Sequence, residues 1–219
     1  MSSDIIEIVE GKTKIRVPNR SLTDKVPPME PAFFNPRAKL NRDFSIIAYS
    51  AFWKKFDKPK IFLDGLTGVG ARALRVATEI DNVEKVVLND INSHGLDLAK
   101  ESFTLNKFEN FEISENETCR FFSIHSQKNN RGSIVDVDPF GSPSKYLDCA
   151  IRATMHGGLL SITATDLQVL HGLFNKAAKR RYYGTPIKTK FSNEIAIRLI
   201  LGCVNVVANR MDISMIPLF

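Results

Sequence analysis

Residues Ser133 to Pro143 read Ser-Ile-Val-Asp-Val-Asp-Pro-Phe-Gly-Ser-Pro. The β-branched run predicts a buried strand, and Pro139 ends it because proline cannot donate to the hydrogen-bond ladder of a central strand. Asp138 and Phe140 are then presented at the carboxyl end of the strand, where open α/β sheets bind their ligands. A carboxylate beside an aromatic ring can receive a flat amine. The alternative is a proline-started helix against which Phe140 packs.

Short apolar runs and helical patterns alternate on both sides of this stretch, which predicts an α/β fold with a mostly parallel sheet covered on both faces. The predicted strands are 61–64, 85–88, 120–124, 133–137 and 159–163, with a sixth beginning within 213–218. The predicted helices are 71–79, 93–105, 143–155 and 193–208, preceded by one that starts at Asp43 as its N-cap.

The first 43 residues have a different character. Residues 7–17 suggest a strand or hairpin, and five prolines punctuate the segment that follows, from Pro18 to Pro36. We therefore divide the chain into an N-terminal cap, 1–43, and a main domain, 44–219.

A glycine-rich loop follows the first strand of the main domain, reading Asp64-Gly65-Leu66-Thr67-Gly68-Val69-Gly70. Such loops serve dinucleotides, S-adenosylmethionine or tight turning alone, and the spacing differs from Gly-x-Gly-x-x-Gly. Asp90 closes the second strand about 20 residues later, where a carboxylate can accept hydrogen bonds from ribose hydroxyls. Together these features indicate a nucleoside site.

Composition narrows the class of protein. The formal charge of +6 favours polyanionic partners. Cys119, Cys149 and Cys203 are widely spaced, so we expect free thiols and neither a zinc site nor a disulfide framework. No apolar run reaches the roughly 18 residues of a membrane span, and the N-terminus lacks a signal-peptide pattern. We expect a cytoplasmic protein that binds no membrane and no metal.

The motifs taken together resemble the tRNA guanine-26 N2-dimethyltransferases of archaea and eukaryotes, over nearly the whole chain. The resemblance rests on Phe33 to Arg37, Asn41 to Asp43, Asp64 to Gly70 with Arg72 and Arg75, Asn89-Asp90, Asp136 to Pro143, Thr163 to Asp166 and Lys188 to Leu201. It implies a class I, Rossmann-like methyltransferase sheet with S-adenosylmethionine as cofactor and tRNA as partner, methylating the exocyclic N2 amine of guanine 26, twice.

The same resemblance implies roles for individual residues. Arg42, Arg72 and Asp90 would hold the cofactor. Asp138 would receive the guanine amine, while Phe33 and Phe140 would clamp the base.

The chain also departs from this family. An acid followed by alanine is usual after the third strand, to bind the adenine amine, whereas we place His125-Ser126-Gln127 there and expect Ser126 or Gln127 to take over. Relatives continue beyond this point, so we expect the final antiparallel strand and the C-terminal domain of the family to be missing from these 219 residues. We therefore expect the isolated chain to be a poor catalyst of low thermal stability.

Residues 167–193 contain no acid, and their cations surround Tyr182 and Tyr183. Cations that can neutralise phosphates, next to aromatic rings on which bases can stack, predict that this segment contacts RNA. The alternative is a solvated flexible loop. Two other functions stay open: an amino-methyltransferase acting on another nucleic acid or on a protein glutamine, and a non-catalytic RNA-binding remnant of the family.

Overall fold

The computed structural model describes residues 4–218 of the chain. Its strands are β1 Ile5–Glu10, β2 Thr13–Pro18, β3 Ile61–Asp64, β4 Lys85–Asn89, β5 Phe111–Ser114, β6 Gly132–Val137 and β7 Thr154–Ile162. Its α-helices are α1 Arg20–Thr23, α2 Lys39–Lys55, α3 Ala71–Glu79, α4 Ser93–Leu105, α5 Thr118–Ile124, α6 Leu147–Ala153, α7 Leu167–Leu170, α8 Asn175–Tyr182 and α9 Ser192–Asn209. Short 3-10 helices occupy Pro36–Ala38 and Ser144–Tyr146.

The central sheet has the strand order β5-β4-β3-β6-β7, and all its neighbouring strands are parallel. Helices cover both faces, so the predicted α/β architecture is confirmed. β3 and β6 lie next to each other at the centre, where the chain reverses its direction of strand addition. In open sheets of this kind the ligand crevice forms at that point, outside the carboxyl ends of the strands.

The N-terminal hairpin packs against α3 and α4. Ile15 and Val17 of β2 are fully buried in the core that they share with the main domain. The Arg16 backbone N–H donates to Ser102 Oγ at 2.9 Å, which fixes the hairpin to α4. The predicted hairpin is therefore confirmed, and it forms part of the main core.

The predicted third strand, 120–124, is wrong. These residues belong to α5, and β5 at Phe111–Ser114 takes the third position in the alternation. The Glu117 side chain accepts a hydrogen bond from the Arg120 N–H and caps the helix, while Phe121 and Phe122 pack against the sheet. A short apolar run with aromatic residues fits both a strand and a buried helix turn, so the pattern alone could not separate them.

Two predicted helices and one predicted strand also differ from the structure. Helix α2 begins at Lys39, so Asp43 lies inside it rather than at its N-cap. Residues 213–218 form no strand. The predicted helix 143–155 is shorter and consists of the 3-10 turn Ser144–Tyr146 and α6, because β7 already begins at Thr154. The pairing of β7 with β6 has an irregular register between Gly132 and Ile134 of β6.

Cys119 and Cys149 form a disulfide between α5 and α6, which contradicts the expectation of free thiols for these two residues. They lie 30 positions apart in sequence, and only the packing of α5 beside α6 brings them together. Cys203 is free and buried. Within residues 4–218, no helix combines the length and the apolar character that crossing a membrane requires.

Candidate active site

The glycine loop turns tightly from β3 into α3. Gly70 has φ +77° and directly precedes the first residue of α3, and Gly68 has φ +54°. Both are left-handed conformations that strain other residues, which explains glycine at each position. Thr67 fixes the loop through two hydrogen bonds. Its Oγ1 donates to Asp64 Oδ2 at the start of the loop, at 2.9 Å, and its N–H donates to the Asn89 carbonyl of the neighbouring strand β4, also at 2.9 Å.

Asp90 lies beside this loop, as predicted from its position after β4. Its Oδ2 accepts a hydrogen bond from the Gly68 N–H at 2.7 Å, and its Oδ1 accepts one from the Asn92 N–H at 3.0 Å. Each carboxylate oxygen can accept more than one hydrogen bond, so both retain capacity toward a ligand. The side chain is thus oriented by backbone groups and still able to receive a diol.

The residues that follow β5 at the same edge are Glu115, Asn116 and Glu117. Asn116 is fixed there by Asn89, whose Nδ2 donates to the Asn116 carbonyl at 3.0 Å and whose Oδ1 accepts the Asn116 N–H at 3.2 Å. Ser126 and Gln127, expected here, instead lie beyond α5 in the segment that leads to the amino end of β6. That expectation was wrong because the strand itself was misplaced.

Asp138 and Arg72 are brought into direct contact. Arg72 Nη2 donates to Asp138 Oδ2, Arg72 Nε lies 3.3 Å from Asp136 Oδ2, and Arg72 Nη1 donates to Ser45 Oγ at 2.5 Å. The Asp138 side chain keeps one third of its surface exposed, whereas Arg72 is buried. Burial raises the pKa of Asp138, the charge of Asp136 raises it further, and Arg72 opposes both.

Behind Asp138 lies a buried pair of carboxylates. Asp64 and Asp136 face each other across β3 and β6. Burial, followed by the charge of Asp136, raises the pKa of Asp64 to about 8. Tyr49 of α2 donates to Asp136 Oδ1 at 2.7 Å, and its oxygen lies 2.7 Å from Ser161 Oγ.

Sequence reasoning assigned no role to Tyr49 or Ser45, which hold this cluster from α2. Their spacing of four residues, which places both on one helix face, was the available signal. Asp136 was also recoverable, because Asp136 and Asp138 at i and i+2 point to the same side of an extended chain.

Phe33 and Phe140 meet at the mouth of the site. Their ring centroids are 4.6 Å apart with an interplanar angle of 89°. Such an edge-to-face pair leaves no gap for a flat ligand between the rings, so the predicted clamp would require the rings to separate, and it stays a prediction. Phe140 is 63% exposed and offers an outer face of its ring.

Arg42 lies in a different cluster. Its Nε and Nη2 donate to the two carboxylate oxygens of Glu10 at 2.6 and 2.7 Å, and its Nη2 also donates to the Asn35 carbonyl at 3.1 Å. Arg42 and Glu10 are both buried. Arg75 joins the cluster through Glu10 and Asp43, with Nη1 at 3.1 and 2.6 Å from their oxygens. Arg42 therefore ties the hairpin to α2, and its contact with a cofactor stays a prediction.

The basic segment folds as α8 and the loop after it. Lys176, Lys179 and Arg180 of α8 are exposed, and so is Tyr183, which follows the helix. Arg181 instead pairs with the buried carboxylate of Asp166, with Nη1 to Oδ2 at 3.0 Å. The segment is therefore an ordered helix attached to the loop that follows β7, at the carboxyl edge of the sheet.

Comparison with known proteins gives a family match over residues 11–219, to the N2,N2-dimethylguanosine tRNA methyltransferases. The chain is 37% identical over 219 aligned positions to the tRNA (guanine(26)-N(2))-dimethyltransferase of Methanococcus aeolicus, covering 97% of this chain and 56% of that protein. It is also 37% identical to the tRNA (guanine(26)-N(2)/guanine(27)-N(2))-dimethyltransferase of Aquifex aeolicus, covering 98% of this chain and 54% of that protein. The chain thus spans about half the length of the curated relatives it matches.

Among solved structures, Trm1 from Pyrococcus horikoshii in complex with S-adenosyl-L-methionine superposes with a TM-score of 0.79 at 31% identity, covering 94% of this chain and 55% of that one. Trm5b from Pyrococcus abyssi superposes with a TM-score of 0.54 at 16% identity, covering 73% and 40%. The second likeness shows a shared fold alone.

Proposed function

Because the chain belongs to the N2,N2-dimethylguanosine tRNA methyltransferase family, we propose that it methylates the N2 amine of guanine 26 in tRNA, twice, with S-adenosylmethionine as methyl donor. The observation that carries this proposal is the position of Asp138. It is one-third exposed, held by Arg72 and located after the central strand β6. The glycine loop and Asp90 lie at the same edge, so an amine and a nucleoside cofactor can meet there.

The residues present fit such a cofactor. Asp90 retains acceptor capacity for the ribose hydroxyls, and the turn at Gly68 and Gly70 lets the backbone approach a ligand closely. Asp136 and Asp138 share the single guanidinium of Arg72, which favours a positively charged ligand beside them. When bound, S-adenosylmethionine supplies an electrophilic methyl group. Arg42 and Arg72 remain the further residues proposed to hold it.

Asp138 is the proposed acceptor of the amine. The lone pair of the guanine N2 is delocalised into the ring, so the amine must be oriented by a hydrogen-bond acceptor that also receives a departing proton. The raised pKa of Asp138 makes its carboxylate a stronger base than an ordinary aspartate, which suits general-base catalysis near neutral pH. Arg72 fixes the carboxylate by a hydrogen bond and opposes the rise of its pKa.

The base is proposed to stack on the aromatic pair at the mouth of the site. A guanine within folded RNA must leave its stack to reach Asp138, at a cost of a few kcal/mol. Phe140, in edge-to-face contact with Phe33, offsets part of that cost by offering a new aromatic face. We assign Phe33 to the substrate-contacting loop of an N-terminal cap, residues 1–43, that precedes the main domain, 44–219.

The tRNA backbone is proposed to lie along α8. Lys176, Lys179 and Arg180 are exposed there, and Phe174 and Tyr183 at its two ends are 54% and 57% exposed. Cations that neutralise phosphates next to exposed aromatic rings are typical of sequence-tolerant nucleic-acid binding.

The test is mass spectrometry of nucleosides from an unmodified tRNA transcript incubated with the protein and methyl-labelled S-adenosylmethionine. We expect labelled N2-methylguanosine and then N2,N2-dimethylguanosine. Transcripts with adenine at position 26 or at position 27 identify the target, because the Aquifex relative is named for both positions. Label in a protein glutamine, or cofactor binding with no transfer to any RNA, would contradict the proposal.

A further inference from the structure

Tyr182 connects the basic helix to the loop that carries the amine acceptor. It is 1% exposed, although it lies at the end of an exposed, cationic helix. Its hydroxyl accepts a hydrogen bond from Ser142 Oγ at 2.7 Å and donates one to Asp166 Oδ1 at 2.7 Å. Ser142 is four residues beyond Asp138, in the same loop after β6.

The connection continues on both sides of Tyr182. The second oxygen of Asp166 accepts Arg181 Nη1 at 3.0 Å, so two successive residues of α8 are held by one carboxylate. Thr165 and Gly141 are joined twice: the Gly141 N–H donates to Thr165 Oγ1 and the Thr165 N–H donates to the Gly141 carbonyl, both at 2.9 Å. The loops after β6 and β7 and helix α8 therefore form one hydrogen-bonded unit.

The tyrosine ring cannot easily move out of this unit. It packs in a buried apolar cluster with Leu147, Leu170 and Ala196, from three other helices. Burial raises the pKa of the Tyr182 phenol, so the hydroxyl stays protonated and remains a donor to Asp166.

Helix α8 thus has two distinct faces. Ala178 and Tyr182, four residues apart, are buried toward the loops, whereas Lys176, Lys179 and Arg180 face solvent. The outer face, where a polyanion would bind, therefore belongs to the same helix whose inner face holds Ser142. Hydrogen bonds weaken steeply with misalignment, so Ser142 keeps its bond to Tyr182 only if it follows α8. A small shift of α8 is therefore passed on to the loop 138–143.

We propose that Tyr182 is a positioning residue that couples RNA phosphate binding on α8 to the placement of the loop 138–143. The coupling rests on the proposed function, since it assigns the RNA backbone to the outer face of α8. RNA bound on α8 then stabilises the loop in the position that presents Asp138 to the amine. Free guanine or guanosine, which lacks a polyanionic backbone, is then a poor substrate even at high concentration.

The test compares Tyr182→Phe, which removes the hydroxyl and keeps the ring, with Tyr146→Phe, which makes the same change at a buried tyrosine of the 3-10 turn Ser144–Tyr146. Amide hydrogen exchange of the peptide covering 138–145 is followed with and without an unmodified tRNA transcript, alongside methyl transfer at saturating tRNA. We expect tRNA to slow exchange of this peptide in the parent protein and in Tyr146→Phe but not in Tyr182→Phe. We also expect kcat to fall roughly 10-fold to 100-fold in Tyr182→Phe, the range for a small misplacement, with the Kd for tRNA unchanged within about twofold.

A second variant, Ser142→Ala, breaks the same link from its other end and should reproduce both effects. Circular dichroism confirms that each variant folds. If the parent transfers no methyl group but Tyr182→Phe alone loses tRNA-dependent protection, the proposed function fails and the coupling stands. If tRNA does not protect the peptide in the parent, or if Tyr182→Phe and Tyr146→Phe behave alike, the coupling is refuted.

Discussion

The two sides of the proposed active-site edge are built in different ways. On the proposed cofactor side, residues 64–70 and 89–92, most polar contacts involve a backbone group: Asp90 accepts the N–H of Gly68 and of Asn92, and Thr67 donates its N–H to the Asn89 carbonyl, although its Oγ1 also donates to the Asp64 side chain. On the acceptor side, residues 138–143 and 163–166 with α8, side chains distant in sequence hold one another. Ser142 and Tyr182, for example, are 40 positions apart.

This difference indicates different tolerance to change. Contacts to backbone groups survive substitution of their neighbours, because every residue supplies the same N–H and C=O. A chain of side-chain contacts fails when one member is lost, since each remaining buried polar group is left unpaired. On the proposed cofactor side, ligand affinity should therefore depend mainly on Asp90 itself. On the proposed acceptor side, substitution of several residues that touch no substrate should lower methyl transfer.

The largest effect is expected at the acceptor. Asp138→Asn keeps the shape of the side chain but removes the proton acceptor, so methyl transfer should fall about 10²–10⁴-fold, the usual contribution of a general base. Cofactor affinity should change by less than about threefold. Single-turnover transfer with labelled cofactor measures the first quantity and titration calorimetry the second. The control is Asp148→Asn on the exposed surface of α6; an active Asp138→Asn enzyme would remove the acceptor role.

Asp64, the last residue of β3, should make the free energy of unfolding depend on pH. The folded protein holds a proton on Asp64 up to a pKa of about 8, whereas the unfolded chain releases it near pH 4. Between these values folding takes up a proton, so this group makes the folded state less stable as pH rises. Asp64→Asn removes the effect.

We expect the stability of Asp64→Asn relative to the parent to rise by on the order of 3 kcal/mol between pH 5 and pH 8, since one pKa unit corresponds to about 1.4 kcal/mol. Urea unfolding at the two pH values measures it, with the exposed Asp57→Asn as control. A constant difference between variant and parent would show that Asp64 is ionised in the folded protein throughout this range.

On the cofactor side, Asp90→Ala should weaken binding of S-adenosylmethionine by roughly 1.5–3 kcal/mol, the range for hydrogen bonds to a charged group. Titration calorimetry gives the affinity. Asp97→Ala on the exposed face of α4 serves as a matched control. The ribose assignment is wrong if Asp90→Ala binds as tightly as the parent, or if NADH binds in place of S-adenosylmethionine.

The smallest effect is expected for the free energy of tRNA binding when charges on the outer face of α8 are reversed. Reversing Lys176, Lys179 and Arg180 to Glu should weaken tRNA binding about tenfold or more and reduce the slope of log K against log salt by about 2 to 3, as three lost phosphate contacts require. Gel-shift titrations across salt measure both. Lys54, Lys55 and Lys128, exposed near the opposite edge of the sheet, are reversed in a control with the same net charge. Equal slopes for the two triple variants would mean that α8 is not the RNA face.

The amino-acid sequence alone determined the alternation of strands and helices, the glycine loop, Asp90 and the exit of β6 at Asp138-Pro139. Each of these depends on local chemistry: positive φ at glycine, the missing N–H of proline, and the two- and 3.6-residue periods of strand and helix. The same signals predicted α3 and α4 with the bounds that the structure has, Ala71–Glu79 and Ser93–Leu105.

Only the tertiary structure decided which apolar run became β5, that Cys119 meets Cys149, and which partner each buried charge has. Arg42 pairs with Glu10, 32 positions away, and Arg72 with Asp138, 66 positions away. A buried charge must be paired, but the cost of leaving it unpaired does not specify the partner. The packing of β3 beside β6, and of α8 on the loops that follow β6 and β7, makes that choice.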